Sequence, residues 1–356
     1  MKPIDFTSIL LEWHAHSNKR EMPWKGEKDP YKIWLSEIIL QQTRVEQGWT
    51  YYEKFIEQYP TVTHLAAAKD ETVFKLWEGL GYYNRCKNLL FTARLIVDKF
   101  QSVFPATYEE IVELKGIGPY TAAAIASFAF NLPYAVLDGN VFRVLSRLFA
   151  IDTPTDSSAG KKEFTILASR LLDKQFPALY NQAIMDFGAT ICKPVAPVCS
   201  ICPANKLCKA FAAGIMNTLP VKEKVLLKKN RWFYYFIFQY KDKILVHKRI
   251  LKDIWENLYE FYLVETTEQV QWTEMHLATF LKDQLNITEF TVKAFSPAQK
   301  QQLTHQQIKG LLIQIDLKAI PESLQNKDWK SAKSIASLAF PKFINQGLEE
   351  MNKRTV

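Results

Sequence analysis

The sequence predicts a protein in two parts, a mainly helical first region and a smaller α/β second region. Three observations carry that prediction. Residues 111–143 hold a Gly-rich turn, Leu114-Lys115-Gly116-Ile117-Gly118-Pro119, that opens an Ala-rich helix from about Tyr120. Four of the five cysteines fall within residues 192–208. After Leu219-Pro220 and a lysine-rich stretch, the composition shifts to aromatic and alternating strand patterns. The expected divisions are 1–219 for the helical region, 220–231 for a linker and 232–356 for the second region.

At 356 residues the chain has room for two domains of ordinary size. A content of 48% hydrophobic and 23% charged residues excludes a disordered chain. The net charge of +8 favours polyanionic partners without identifying one. It is shared, with 26 Lys+Arg against 23 Asp+Glu through Val225 and 19 against 14 afterwards, so no basic tail explains it. The start, MKPIDFTSIL, lacks the apolar run and cleavage site of a secretory signal. Between Lys115 and Asp138 stand 22 uncharged residues, a length that raises the question of a membrane span. Gly116, Gly118, Pro119, Asn131 and Pro133 interrupt them, so a buried helix over Ala122–Phe130 is the better account. A cytosolic enzyme without a membrane partner follows, and there clustered cysteines point to a metal before a disulfide.

Taken in order, residues 6–15 have helical apolar spacing, and Asp29-Pro30 turns the chain into a helix from about Tyr31 to Tyr52. Glu37 in that helix is surrounded by Ile33, Trp34, Leu35, Ile38, Ile39 and Leu40. A carboxyl so placed is costly to ionise and keeps its proton toward neutrality. The alternative is an exposed Glu on a polar stripe with Gln41 and Arg44. Gln42 and Thr43 follow one turn on. Trp77-Glu78-Gly79-Leu80-Gly81-Tyr82-Tyr83 is a tight turn with an apolar and aromatic tip, suited to wedging between base steps or to joining a helical core. The Gly116–Pro119 turn frees amides at a helix start, where a phosphate binds well. Twenty residues later comes Asp138, aimed at a sugar or capping the helix that begins near Gly139. A further helix spans about Thr155–Leu172.

Cys192, Cys199, Cys202 and Cys208 then stand at spacings that close on one metal centre, and spacing alone does not separate zinc from iron–sulfur. Beyond the linker, Trp232–Tyr240, Ile244–Arg249, Glu289–Phe295 and Ile308–Leu317 read as strands, with helices near 273–285 and 329–350.

The Gly116–Ala122 turn followed by Asp138 resembles the helix-hairpin-helix and Gly/Pro…Asp motif of base-excision DNA glycosylases. VLDGNVFRVLSRLF (136–149), SEIILQQTRV (36–45) and WEGLGYYNR (77–85) resemble the adenine DNA glycosylases of the MutY type. The resemblance covers most of residues 6–215. It implies a helix-hairpin-helix glycosylase fold and removal of adenine paired with 8-oxoguanine or guanine in double-stranded DNA, by a monomer. Glu37 would be the acid and Asp138 the sugar-facing carboxylate, supported by Tyr120 and Asn140. Arg20, Trp24, Leu40, Gln182 and Met185 would line the adenine pocket. Gln42, Thr43, Leu80, Tyr82, Gly116 and Gly118 would meet the DNA. The cysteines would hold one [4Fe–4S] cluster, with Lys193, Lys206 and Lys209 toward phosphates.

In the second region Trp255-Glu256-Asn257-Leu258-Tyr259-Glu260-Phe261 resembles the opening of the family's Nudix-like domain, with Tyr259 in place of the usual Trp. The core of working Nudix hydrolases is absent, so lesion recognition is the implied role. Leu303-Thr304-His305 matches a Phe-Ser-His loop that approaches 8-oxoguanine; Leu303 departs from it, whereas Thr304 keeps a hydroxyl and His305 the imidazole. Two rival functions remain at this point. An endonuclease III-like glycosylase/lyase needs a Lys nucleophile where Tyr120 stands. A non-catalytic damaged-DNA sensor would not need Glu37 and Asp138.

Overall fold

Helices follow one another from Pro3 to Thr190 in the computed structural model, which describes residues 3–223 and 229–354. They are α1 (Pro3–His16), α2 (Pro30–Leu40), α3 (Val45–Gln58), α4 (Val62–Ala67), α5 (Asp70–Leu76), α6 (Tyr83–Phe100), α7 (Tyr108–Val112), α8 (Pro119–Phe130), α9 (Gly139–Phe149), α10 (Ser158–Leu171), α11 (Pro177–Thr190) and the short α12 (Lys209–Ala212). Short 3-10 turns at Cys199–Ile201 and Asn205–Leu207 carry the cysteine loop. Among the described residues no helix is long and apolar enough to cross a membrane.

The expected helix from Tyr31 to Tyr52 is two helices. α2 is started by Asp29, whose side chain accepts from the Tyr31 amide at 2.9 Å, with Pro30 at its first position. It stops at Leu40, and Gln42 takes a left-handed conformation at φ 58°. No Gly or Pro stands between Leu40 and Val45, so local sequence does not announce the break. Packing does: a side chain at Gly48 would lie 2.9 Å from Leu40 Cδ2, so α3 folds back closely on the end of α2.

The chain forms two compact units: residues 3–68 with 87–223, and residues 69–86 with 229–354. Residues 69–86, part of the first region by sequence, thus pack with the second. In the first unit α8 is buried from Thr121 to Ser127, and its small side chains let α2 and α11 approach. Phe6, Leu10, Trp13, Val144, Leu148, Phe164 and Phe187 fill the core between α1, α9, α10 and α11.

The second unit holds a seven-stranded mixed sheet. Its strands are β1 (Lys229–Tyr240), β2 (Lys243–Leu245), β5 (Tyr262–Thr266), β6 (Phe290–Phe295), β7 (Gln299–Gln302), β8 (Gln306–Leu317) and β9 (Trp329–Ser331); β3 (His247–Lys248) and β4 (Tyr259–Glu260) form a separate pair. The path runs β6-β8-β1-β2-β9, with β5 on β1 and β7 on β8. β1 and β8 are parallel, Tyr235 facing Leu312. Alternation on β1 explains the layers. Tyr234, Phe236 and Phe238 pack under α13 (Glu274–Leu285) through Leu277, Leu281 and Leu285. Phe233 and Tyr235 turn to Trp255 and Phe343, the latter on α16 (Lys342–Arg354). Short helices α14 (Glu322–Gln325) and α15 (Ala332–Ile335) complete the unit.

The expected strand Ile244–Arg249 is divided into β2 and β3, and the expected helix 329–350 into β9, α15 and α16. Residues 329–331 pair with β2 and extend the sheet, and Pro341 ends the chain's earlier course before α16. Residues 224–228 of the expected linker lie outside the described residues.

Candidate active site

A cleft of about 540 Å³ in the first unit is lined by residues from the end of α1, the 20–28 loop, α2, α8, the start of α9 and α11. Glu37 reaches it from α2 and is only 6% exposed. Burial pushes its carboxyl up to about 7; a hydrogen bond from Tyr120 opposes the shift and the charge of Asp138 adds to it. Glu37 is buried on the cleft wall and does not lie on an exposed polar stripe. Tyr120 stands in the first turn of α8, and burial with both neighbouring carboxylates holds its hydroxyl well above the ordinary phenol range.

Asp138 caps its helix and lies on the cleft wall. Its Oδ1 caps α9 by accepting from the Val141 amide at 2.8 Å, and the residue also lines the cleft. Oδ2 accepts from Asn140 Nδ2 at 2.6 Å. Burial pushes its pKa up, and the Val141 amide, Asn140 and the Arg143 guanidinium pull the other way. Asn140 is itself held: Arg143 Nη2 donates to its Oδ1 at 2.8 Å. Gly188 of α11 lets the helices meet there, since a Cβ on it would lie 2.7 Å from Asn140 Cβ.

Arg143 was not singled out by sequence. Besides Asn140 it donates to Gly188 O at 2.8 Å and, through Nε, to Cys192 O at 2.7 Å. The sign was present: Arg143 and Arg147 stand one turn apart on an otherwise apolar helix, where a cation must find acceptors.

The far end of the cleft is organised by another residue that sequence reasoning missed. Asp186 is fully buried and accepts from Asn18 Nδ2 at 2.7 Å, Arg20 Nη1 at 2.9 Å and Gln182 Nε2 at 3.0 Å. Lys25 Nζ pairs with it at 3.4 Å. Arg20, Trp24, Leu40, Gln182 and Met185 all line the cleft. Gln182 spends one amide N–H on Asp186, which leaves its oxygen and its second N–H to other partners. Among the described residues, the signal for Asp186 is a lone acid on the apolar helix α11.

Cys192, Cys199, Cys202 and Cys208 face one apolar cavity with Phe6, Leu148 and Phe211. Among the described residues no three His, Cys, Asp or Glu side chains lie close enough for a single metal ion. Four thiolates at such spacings serve either a zinc ion or an iron–sulfur cluster. Burial pushes the Cys202 thiol up to about 11; the Ala204 amide opposes the shift and the neighbouring cysteines add to it. Arg147, 3% exposed, touches the set: Nη1 lies 3.5 Å from Cys192 Sγ and donates to Lys193 O at 2.7 Å. Its Nε donates to Met216 O and Leu219 O, closing the loop over α9. Lys193, Lys206 and Lys209 are exposed.

The remaining expected contacts fall in separate places. Gly116, at φ 86°, lies in the hairpin between α7 and α8, and Gly118 caps α8 with nothing within 4 Å of an added Cβ. Thr43 lines the cleft, and Gln42 is exposed beside it in sequence. In the second unit Tyr82 is 44% exposed at φ 49°, while Leu80 is buried at 5%, so the exposed tip of the turn is the tyrosine alone. The Tyr82 hydroxyl lies 3.3 Å from Thr304 Oγ1, joining residues 222 positions apart. Thr304 and His305 form the tip between β7 and β8, His305 exposed.

With this geometry in view, the chain matches the model of the HhH-GPD superfamily of base excision DNA repair proteins over residues 35–167. It is 36% identical over 282 residues to an adenine DNA glycosylase of Buchnera aphidicola subsp. Baizongia pistaciae, covering 77% of this chain and 78% of that one. To the adenine DNA glycosylase of Buchnera aphidicola subsp. Schizaphis graminum it is 31% identical over 348 residues, 97% and 98% of the two chains. Among solved structures, a thermostable thymine-DNA glycosylase aligns with TM-score 0.55 and 29% identity, covering 59% of this chain and 97% of that one. A non-covalent endonuclease III–DNA complex aligns with TM-score 0.51 and 22% identity over 60% of this chain and 99% of that one, a likeness of fold.

Proposed function

The chain belongs to the adenine DNA glycosylases within the HhH-GPD superfamily of base-excision repair proteins, and from that premise we propose that the adenine it removes is the one paired with 8-oxoguanine or guanine. The observation that carries the catalytic reading is one cleft holding two unlike carboxyls, Glu37 raised mainly by burial against the Tyr120 bond and Asp138 served by the Val141 amide and Asn140.

The target nucleotide leaves the stack to enter the cleft. Gln182 Oε1 accepts from the exocyclic amine of adenine, with Arg20 beside it, both held by Asp186. Glu37, its pKa near 7, gives its proton to the base, and Tyr120 orients the carboxyl through their hydrogen bond. As the N-glycosidic bond lengthens, positive charge grows on the sugar. Asp138 faces that charge or bonds covalently to the anomeric carbon; water then adds its oxygen to that carbon with retention, displacing the Asp138 oxygen if it is bonded there, and its proton returns to the Glu37 carboxylate. Neutral adenine and an abasic site are the products. Tyr120 offers a phenol and no amine, so no Schiff base forms and the strand is left intact.

Cys192, Cys199, Cys202 and Cys208 hold one [4Fe–4S] cluster, whose chemistry here is to bind four thiolates and set the shape of their loop. That loop presents Lys193, Lys206 and Lys209 to phosphates, while the Gly116–Gly118 amides take another phosphate. The second unit is a Nudix-like reader whose Tyr82, Thr304 and His305 meet the base opposite adenine. The protein acts as a monomer on duplex DNA in the cytosol or nucleoid.

The deciding experiment is a glycosylase assay on defined duplexes. Abasic product from A:8-oxoguanine and A:G, without strand cleavage, is expected. Release of an oxidised pyrimidine with strand cleavage, or binding without product, would refute the assignment.

A further inference from the structure

The second unit contains residues 69–86, a stretch that stands 143 positions before β1 begins when counted from Cys86 to Lys229. Specific polar ties fasten it there. Glu78 Oε1 accepts from the Phe340 amide at 2.7 Å, and its Oε2 accepts from Lys75 Nζ at 2.7 Å. Lys75 Nζ also donates to Leu338 O at 2.9 Å. One turn earlier on α5, Glu71 pairs with Lys248 at 2.9 Å. The receiving segment is itself firm. Tyr259 donates its amide to Ala339 O at 2.8 Å, and the Phe340 ring stacks on Phe261 with centroids 5.2 Å apart.

From Glu78 to Tyr82 the turn is stiff. Trp77 is fully buried and donates Nε1 to Gly81 O at 3.0 Å. The Arg85 guanidinium lies over both the Trp77 ring, at 5.4 Å, and the Tyr82 ring, at 5.0 Å. The turn ends at the Tyr82 hydroxyl, 3.3 Å from Thr304 Oγ1. A hydroxyl pair at that distance tolerates little displacement before the interaction is lost. The two carbonyl and amide groups of residues 338–340 take up a Lys and a Glu on the same side of the turn, so its placement is fixed by charge-assisted bonds.

We propose that Glu78, with Lys75, is a positioning residue for recognition of the base opposite adenine: it anchors the 77–82 turn to residues 338–340 and so sets Tyr82 against Thr304. Resting on the lesion-reading role proposed above, this adds a determinant that touches neither adenine nor the lesion. It acts through Tyr82.

The test compares single-turnover excision of A opposite 8-oxoguanine and of A opposite G at one fixed salt concentration. Glu78→Ala should lower the ratio of the two rates by about fivefold, with the A:G rate changed by less than about twofold. Glu78→Gln keeps an oxygen for the Phe340 amide and should retain most of the ratio. In a Tyr82→Phe background, Glu78→Ala should lower the ratio no further, because the hydroxyl it positions is gone. Lys75→Met, which cuts the Leu338 tie, should shift the ratio in the same direction and serves if Glu78→Ala does not fold. An unchanged ratio in Glu78→Ala, an equal loss on both duplexes, or an undiminished further loss in the Tyr82→Phe background would overturn the inference. If the unaltered protein shows no preference for 8-oxoguanine, the lesion-reading role itself fails, a result visible before any variant is made.

Discussion

The cleft of the first unit and the β7–β8 tip of the second stand in opposite relations to water. Glu37 and Asp138 are taken out of it by the fold, so the cost of placing acidic groups in a poor solvent is met when the protein folds. Tyr82, Thr304 and His305 stay accessible, and in the proposed role their hydroxyls and imidazole gain strength only when DNA covers them. On that proposal chemistry at the cleft is tuned in advance, whereas reading at the tip draws its energy from binding. Substitutions in the first should change rate steeply and binding little. Those in the second should change preference, modestly.

The sharpest break is Asp138→Asn. Asparagine caps helices as well as aspartate, so the Val141 bond can persist and α9 should remain in place. The carboxylate charge is lost, together with the second oxygen that accepts from Asn140. Single-turnover excision should fall by at least about a thousandfold while duplex affinity stays within a few-fold. Near-normal excision would remove Asp138 from its role.

That part of the molecule was legible because short-range rules fix it. The turn at Gly116–Pro119, the cap at Asp138 and the four cysteine spacings are each written within a few residues. The end of α2 was not, because nothing between Leu40 and Val45 is a breaker and the bend comes from α3 packing back through Gly48. Asp186 was missed for a related reason. Its partners Asn18, Arg20 and Lys25 lie more than a hundred residues away in sequence, and no local pattern pairs them. The Tyr82–Thr304 contact is the extreme case, since family resemblance named both residues but only the tertiary structure joins them.

Glu37→Gln should follow Asp138→Asn in size, costing about a hundredfold or more, since an amide has no proton to give. The parent enzyme offers a finer check. Glu37 acts protonated, and its pKa is about 7, so excision should fall as pH rises above that value and level off below it until Asp138 protonates. A rate that rises through pH 7 would refute the acid role. Stability carries the same signature with a fixed sign. Unfolded Glu37 releases its proton near 4.5, whereas the folded residue holds it to about 7, so the native state binds the extra proton between these values. Its contribution therefore declines as pH rises through that window, and Glu37→Gln should remove this decline from urea or thermal melts.

Cys199→Ser tests the organising role of the cysteine loop. The purified parent should be yellow-brown and contain iron and sulfide, as thiolate-bound clusters do. The variant should lose colour and lose about tenfold or more in DNA affinity, because Lys193, Lys206 and Lys209 ride on the loop. Full activity with stoichiometric zinc and no iron would overturn the cluster assignment.

The smallest expected effect is at the reading tip. Adenine is an undamaged base, so safe excision depends on sensing its partner, and in the proposed mechanism Glu37 and Asp138 address only the base and sugar that enter the cleft. Thr304 and His305 sit on a turn held by the Leu303 amide to Gln306 O at 2.8 Å and by the Lys229 amide to His305 O at 3.0 Å. Truncating both side chains leaves those backbone bonds intact, so Thr304→Ala with His305→Ala should fold normally. Excision opposite 8-oxoguanine should drop about three- to tenfold relative to excision opposite guanine, the span of one or two modest hydrogen bonds. Both duplexes must be compared at one salt concentration, because phosphate contacts alone vary steeply with salt. Equal losses would mean that the second unit contributes only general affinity. Thr304 and His305 would then leave the recognition site, and the contact to Tyr82 would be structural.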